Sequence, residues 1–174
     1  NDEFALQQLR AIEVMSYDYI DKNKYGVGTT IGFISQQVKE IMPMAVQMQG
    51  DYVPDEMREV EVVFEMFETT DEEGKPITKY KFAIDDLSGI RYKFKMLSEE
   101  KIITTELEKD EDGKFVCDKI YEKLFLYGKW TNDFHILSKE KLFTCNFAAT
   151  QEIDRRQQAE KTKLEEQGAK LEEQ

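Results

Sequence analysis

Two serines in this 174-residue chain precede a lysine at the spacing Ser-x-x-Lys: Ser98-Glu-Glu-Lys101 and Ser138-Lys-Glu-Lys141. On a helix this spacing puts the amine one turn from the hydroxyl, where a neutral lysine could take the serine's proton and create a nucleophile. Glutamates adjoin both lysines and favour the ammonium form, which cannot act as a base. Both serines also suit ordinary capping or turn roles, which is how they are read. His135 is the one histidine, and the nearest nucleophile for it is Cys145, ten residues on. His135 is therefore read as a loop residue leading into a helix. Asp71-Glu72-Glu73-Gly74 and Asp110-Glu111-Asp112-Gly113 resemble calcium loops in composition alone. The common helical calcium loop needs glycine sixth and glutamate twelfth, and these segments place glycine fourth. They read as hairpin turns whose glycine supplies a positive φ. With no glycine-rich phosphate loop and no His/Cys cluster, the residues predict no catalytic site, no metal and no cofactor.

Composition bounds the rest. Aliphatic and aromatic residues make up 40% of the chain, enough for a real core in one domain and a small second one. Acidic residues outnumber basic ones 36 to 24, a net charge of −12. Binding to nucleic acid or to an anionic membrane is disfavoured, since both depend on clustered Lys and Arg. The two cysteines, Cys117 and Cys145, read as reduced, half-buried thiols and not as a disulfide framework. No run approaches the roughly 20 apolar residues of a spanning helix. The chain opens on Asn1 with no signal peptide after it, which reads as a fragment or processed product of something longer.

These residues sit on elements visible in the hydrophobic spacing. Phe4, Ala5, Leu9 and Ile12 recur at helical intervals behind an Asn1 or Asp2 cap, predicting a helix over 3–12. Met15–Ile20 alternates like a strand, and Asp21–Gly28 is turn chemistry. Then comes TIGFISQQVKEIMPMAV, residues 30–46: an apolar strand over Ile31–Ile34 with Gly32 inside it, then a short helix with Val38, Ile41 and Met42 on one side, stopped by Pro43. A glycine at Gly32 predicts the close approach of another backbone or a bulge. From Arg58 to Phe134, β-type segments alternate with acidic turns, predicting an antiparallel meander or small sheet with strands over 59–68, 78–84, 90–96, 101–108 and 120–130. In 90–96, Ile90, Tyr92, Phe94 and Met96 share one face, and Arg91, Lys93 and Lys95 the wet one. From Ser138 a long helix begins. Its apolar stripe runs Leu142, Asn146, Ala149, Ile153, then turns polar through Gln157, Glu160, Leu164, Gln167 and Leu171. Such a helix either pairs with copies of itself or frays in solvent. The fold class is therefore α+β, with a core formed by residues 1–50 and 134–174 around an inserted β-rich module at 51–133.

Leu6, Leu9, Ile12, Tyr17 and Tyr19 in LQQLRAIEVMSYDYID, then Gly32, Phe33, Ile34, Gln36, Val38, Pro43, Ala45 and Val46 in GFISQQVKEIMPMAV, lie on a shared pattern. It resembles the self-cleaving intramolecular chaperone domain at the C-terminus of endosialidase-type phage tail spikes and fibres. Val14, Ser35 and Gln37 depart from it, where proline, alanine and glutamate are usual. SKEKLFTCNFAATQEI is similar to the family's closing helix, and to one in the trimerising chaperone domain of the myelin regulatory transcription factor. The intervening β-module lies outside the resemblance.

The resemblance implies a homotrimer that helps an upstream fibre or β-helical stalk of the same polypeptide to fold and register. The domain would then be released by cutting itself off, associated with the virion during assembly in the host cytoplasm. The family's nucleophile is a serine in a Ser-Asp-x-x-x-Lys segment ahead of the first helix, so no residue of this chain inherits a catalytic role. Leu142, Phe143, Asn146, Ala149 and Ile153 are the expected trimer contacts. Gln36 is expected to be a buried, hydrogen-bonded amide. The other reading is a β-module that binds a ligand or receptor and is carried on a helical stalk.

Overall fold

A computed structural model describes residues 1–99 and 101–172. Glu100 of the first Ser-x-x-Lys segment and the last two residues of the predicted helix, Glu173 and Gln174, lie outside the described residues. The protein is α+β. The helices are α1 (Asp2–Ala11), α2 (Lys22–Tyr25), α3 (Ser35–Ile41) and α4 (Lys139–Glu172). The first strands are β1 (Met15–Asp18), β2 (Thr29–Gly32), β3 (Val46–Tyr52), β4 (Arg58–Val60) and β5 (Glu65–Thr70). The remainder are β6 (Pro76–Phe82), β7 (Arg91–Ser98), β8 (Lys101–Glu108), β9 (Phe115–Cys117) and β10 (Lys123–Leu137). Two compact units contain them: Asn1–Tyr17, Thr29–Met48 and His135 onward in the first, Asp18–Gly28 and Gln49–Phe134 in the second.

In the first unit α1 forms where the sequence predicts it. The Asn1 side chain accepts from the Glu3 amide at 3.1 Å, which satisfies one of the orphan donors of the first turn. The buried stripe is centred on Ala5 and Leu6, with Leu9 and Ile12 packed beside them, and not on Phe4, which is exposed. At 100° per residue Phe4 points about 200° away from Leu6, so helical spacing alone allowed the wrong origin for the stripe. β1 and β2 form a two-stranded sheet. β2 ends at Gly32, two residues before the predicted Ile34, which instead caps α3. Val38 and Met42 bury as expected, and the chain turns at Pro43–Ala45 in a single 3-10 turn. Ala5, Leu6, Val38, Met42, Ala45, Cys145 and Ala149 form one core.

The second unit contains two sheets and not one meander. One is ordered β3-β10-β7-β8, with β4 also paired to β10, and the other is β5-β6-β9. β7 and β8 match their predicted ranges closely, and their register runs from Arg91 opposite Glu108 to Ser98 opposite Lys101. The predicted strand over 59–68 is instead two short strands, β4 and β5, separated by residues 61–64. Tyr92, Phe94 and Met96 are buried with Phe82, Phe115, Leu124 and Leu126, whereas Ile90 lies outside the strand and is exposed. On the wet face of β7, the Lys93 ammonium lies 4.4 Å from the Tyr52 ring centre and 5.7 Å from that of Tyr127. This lets a half-buried cation keep a favourable electrostatic partner while its stem covers apolar surface. The acidic turns are hairpin turns, as predicted: φ is +81° at Gly74 and +76° at Gly113. The Asp71 carboxylate accepts from the Glu73 and Lys75 amides, and that of Asp110 from the Asp112 and Lys114 amides. These bonds, with the Lys81 ammonium 3.0 Å away, hold Asp110 below the usual carboxylate range. Among the described residues no three His, Cys, Asp or Glu side chains are gathered to hold a metal, and no helix is long and apolar enough to cross a membrane.

Candidate functional site

The residues singled out for chemistry are engaged in structural bonds. Ser138 caps α4, accepting from the Lys141 amide at 3.3 Å, while the Lys141 ammonium donates to the Met44 carbonyl at 2.6 Å. The amine thus faces a carbonyl and not the serine hydroxyl. Ser98 is buried at the end of β7, next to its turn. His135 belongs to β10 and is not in a loop. Its Nε2 lies 3.3 Å from Nζ of Lys39, a contact a neutral imidazole can accept. Cys145 is elsewhere in the core, its thiol donating to the Ala5 carbonyl at 3.6 Å, and burial pushes that thiol above its usual range. A buried protonated thiol with no cation beside it is a packing residue and not a nucleophile. Cys117 is buried in the same way, and its thiol is likewise pushed up, chiefly by burial.

The motif residues divide into those the fold brings together and those it does not. Leu9 and Val38 meet in the core of the first unit, with Ala45 and Val46. Tyr17 packs over Gly32: a β-carbon built there would lie 2.9 Å from the Tyr17 hydroxyl oxygen. The close neighbour expected at Gly32 is therefore a side chain and not a backbone. Because its end can shift, Gly32→Ala is expected to cost about 1 kcal/mol or less in urea denaturation. A loss above about 2 kcal/mol would contradict this account of the contact. Tyr19 stacks on Tyr25 at 4.2 Å in the second unit. Phe33 and Pro43 are exposed, and Pro43 begins the 3-10 turn. Gln36 is also exposed, on the first turn of α3, which corrects the expectation of a buried amide. Helix-start polarity and solvent exposure account for that residue without a buried partner.

The largest chemical feature of the first unit is the face of α4. Leu142, Cys145, Ala149 and Glu152 are the side turned inward; α1 and α4 pack along one another, and Ala149 is 0% exposed. Glu152, missed by sequence reasoning, is buried and accepts from Arg155 and from Arg156 at 2.7 Å. The same guanidiniums reach Asp2 at 2.7 Å and Glu3 at 3.5 Å in the first turn of α1, and Asp2 followed by Glu152 pushes Arg155 above its usual range. The sequence signal for this cluster was a glutamate three and four residues ahead of two arginines. Two of the five expected trimer contacts are thereby accounted for inside the chain, since Leu142 and Ala149 pack in its own core. Phe143, Asn146 and Ile153 are exposed.

Removing Leu142 and Ala149 from the stripe regularises it. Phe143, Asn146, Thr150, Ile153, Gln157, Glu160, Leu164, Gln167 and Leu171 follow one another at alternating steps of three and four, and all are exposed. The spacing is that of a heptad, with Phe143, Thr150, Gln157, Leu164 and Leu171 on one of its two rows, and its apolar members are Phe143, Ile153, Leu164 and Leu171. Three of its large apolar members are mostly in water: Phe143 is 68% exposed, Leu164 67% and Leu171 74%.

Residues 1–47 match the model of a family described as chaperone of endosialidase. Over 94% of its length the chain is also 26% identical to the uncharacterized protein VP1 of Micromonas pusilla reovirus (isolate Netherlands/2005). That alignment takes in both units, whereas the family match ends at residue 47, two residues into β3, and takes in only Asp18–Gly28 of the second unit. The chain spans 11% of the length of this viral relative. The match to the chaperone family and the viral relative support a chaperone-type role in a viral protein.

Proposed function

We propose that this chain is a trimerising chaperone module of a viral fibre-like protein, which associates through the open seam of α4 and registers three copies of an upstream stalk. The observation that carries the reading is the heptad-spaced row exposed from Phe143 to Leu171, apolar at Phe143, Ile153, Leu164 and Leu171, on a helix whose other face is already packed against α1. A 34-residue helix with such a face gains by burying it against copies of itself. Asn146 within the seam costs stability but restricts the registers in which the helices can align. Three chains held in register lower the entropic cost of starting an intertwined stalk, because the first long-range contacts become effectively intramolecular. The match over residues 1–47 supports the chaperone part of the reading. The stalk would be the partner, assembly in the host cell would be the setting, and release by autoproteolysis would use a Ser-Asp-x-x-x-Lys segment of the kind the resemblance implies, while Ser138 caps α4 and Lys141 donates to Met44.

Sedimentation equilibrium at micromolar concentration tests it. The wild-type chain is expected to run as a trimer. Phe143→Asp with Ile153→Asp is expected to run as a monomer with unchanged far-UV circular dichroism, since both side chains are exposed in the single chain. A wild-type monomer or dimer overturns the proposal.

A further inference from the structure

The first unit has a groove of about 230 Å³ between the end of α1 and the last turn of α3. Its floor is apolar, made by Ile12, buried Val38 and Ile41. Its rim carries Glu13, Gln37 and Glu40, all exposed. The walls are fixed to each other by the Gln8 amide, which donates to the Ile41 carbonyl at 3.2 Å. None of this belongs to the α4 seam.

The charged side chains that line the groove, Glu13 and Glu40, are both acidic. Neither the Glu13 nor the Glu40 carboxylate makes a hydrogen bond or ion pair among the described residues. Both helices also end here, at Ala11 and Ile41, their C-terminal dipoles offset by Arg10 and Lys39 in the same last turns, which lie outside the groove's lining. Two carboxylates around an apolar floor select a cation with an apolar body. The volume lies below the roughly 300 Å³ at which pockets for drug-sized molecules begin, so one long side chain fits better than a cofactor. Lysine and arginine are the residues that combine a hydrocarbon stem with a charged head.

We propose that the groove docks one lysine or arginine side chain presented by a polypeptide segment. The stem of one lysine or arginine would lie over Ile12, Val38 and Ile41, and its head between Glu13 and Glu40. The inference is independent of the trimer, and its test separates the two.

The full 174-residue chain, isotopically labelled, is titrated with acetyl-Leu-Arg-Leu-Lys-Leu-amide and, separately, with n-butylguanidinium, following backbone amide shifts. Saturable shifts are expected at Ile12, Glu13, Val38, Glu40 and Ile41 for both probes. The neutral control acetyl-Leu-Gln-Leu-Gln-Leu-amide should bind roughly two- to thirtyfold more weakly, given about 0.2–1 kcal/mol for each of two exposed charge pairs. Glu13→Gln with Glu40→Gln is expected to bring the basic peptide to the level of that control, with an unchanged thermal midpoint. Equal binding of the basic and neutral peptides, shifts centred elsewhere, or no shift at all overturns the proposal. Shifts at these five residues that depend on protein concentration without peptide also overturn it, because a second copy would then be the occupant. Phe143→Asp with Ile153→Asp, which abolishes the seam, should leave the peptide titration unchanged.

Discussion

Phe115→Ala is expected to remove about 3–5 kcal/mol of stability from the second unit, a large share of the roughly 5–15 kcal/mol of an ordinary domain. Phe115 is 0% exposed on the three-residue strand β9, and three rings close on it: Phe94 at 5.1 Å, Phe82 at 5.4 Å and Tyr92 at 5.9 Å. Phe94 and Tyr92 meet it edge-on, the arrangement in which the positive rim of one ring faces the negative face of another. Truncation removes the transfer free energy of the ring, these pair terms, and the contacts of every atom lining the cavity left behind. The pairing of β9 with β6 at Phe82, Lys81 and Tyr80 limits how far the strand can move into that space. Urea denaturation followed by circular dichroism measures the loss. A value under about 1 kcal/mol would show that Phe115 is not the hub of this core. Phe115→Leu, which refills part of the volume, should lose less than half as much.

Gly128→Ala is the second large effect, an expected loss of about 3 kcal/mol or more for a single added methyl group. A β-carbon built at Gly128 would lie 1.8 Å from the Val53 carbonyl oxygen, 2.6 Å from Oδ1 of Asp55 and 2.9 Å from its amide nitrogen. Backbone cannot swing aside as a side-chain tip can. Residues 53–57 lie over β10 here: the Val53 amide donates to the Lys129 carbonyl at 3.0 Å, the Met57 amide to that of Tyr127 at 3.1 Å, and the Lys129 amide to Asp55 at 3.0 Å. The register of β10 against β7 shifts between Leu126 and Gly128, which marks a β-bulge. An alanine there must push this loop away and break several of these bonds together. Gly113→Ala is the control: its φ is +76° but nothing lies within 4 Å of the added carbon, so the expected cost is only the roughly 1–2 kcal/mol of a left-handed non-glycine residue. If Gly128→Ala cost no more than Gly113→Ala, the close approach would not limit stability.

How legible these features were depends on how local their causes are. α1, α3 and the paired strands β7 and β8 follow from periodicity and cap or stop residues within a dozen positions, and the structure has them where expected. The acidic hairpin turns and the Ser138 cap were equally visible, because an Asp carboxylate or a Ser hydroxyl bonds to amides two to four residues away. Less could be said where the deciding partner is distant in the chain. Phe115 sits on a strand of three residues, too short to show an alternation, and only its neighbours from β6 and β7 make it a hub. The predicted strand over 59–68 read as continuous because its composition is uniform, yet it is two strands in different sheets.

α4 shows the division most directly. Its length, its start at Ser138 and the presence of an apolar stripe followed from the sequence alone, because helix formation and capping are set by near neighbours. Which residues form the open stripe did not follow. A helix of this composition carries two overlapping stripes, and spacing cannot say which one the rest of the chain will cover. The packing of α1 takes Leu142, Cys145 and Ala149, the Glu152 cluster seals the end of that contact, and the heptad row from Phe143 to Leu171 is left exposed. That choice is made by burial between elements some 140 residues apart, as the contact from Cys145 to Ala5 shows, and so it belongs to the tertiary structure.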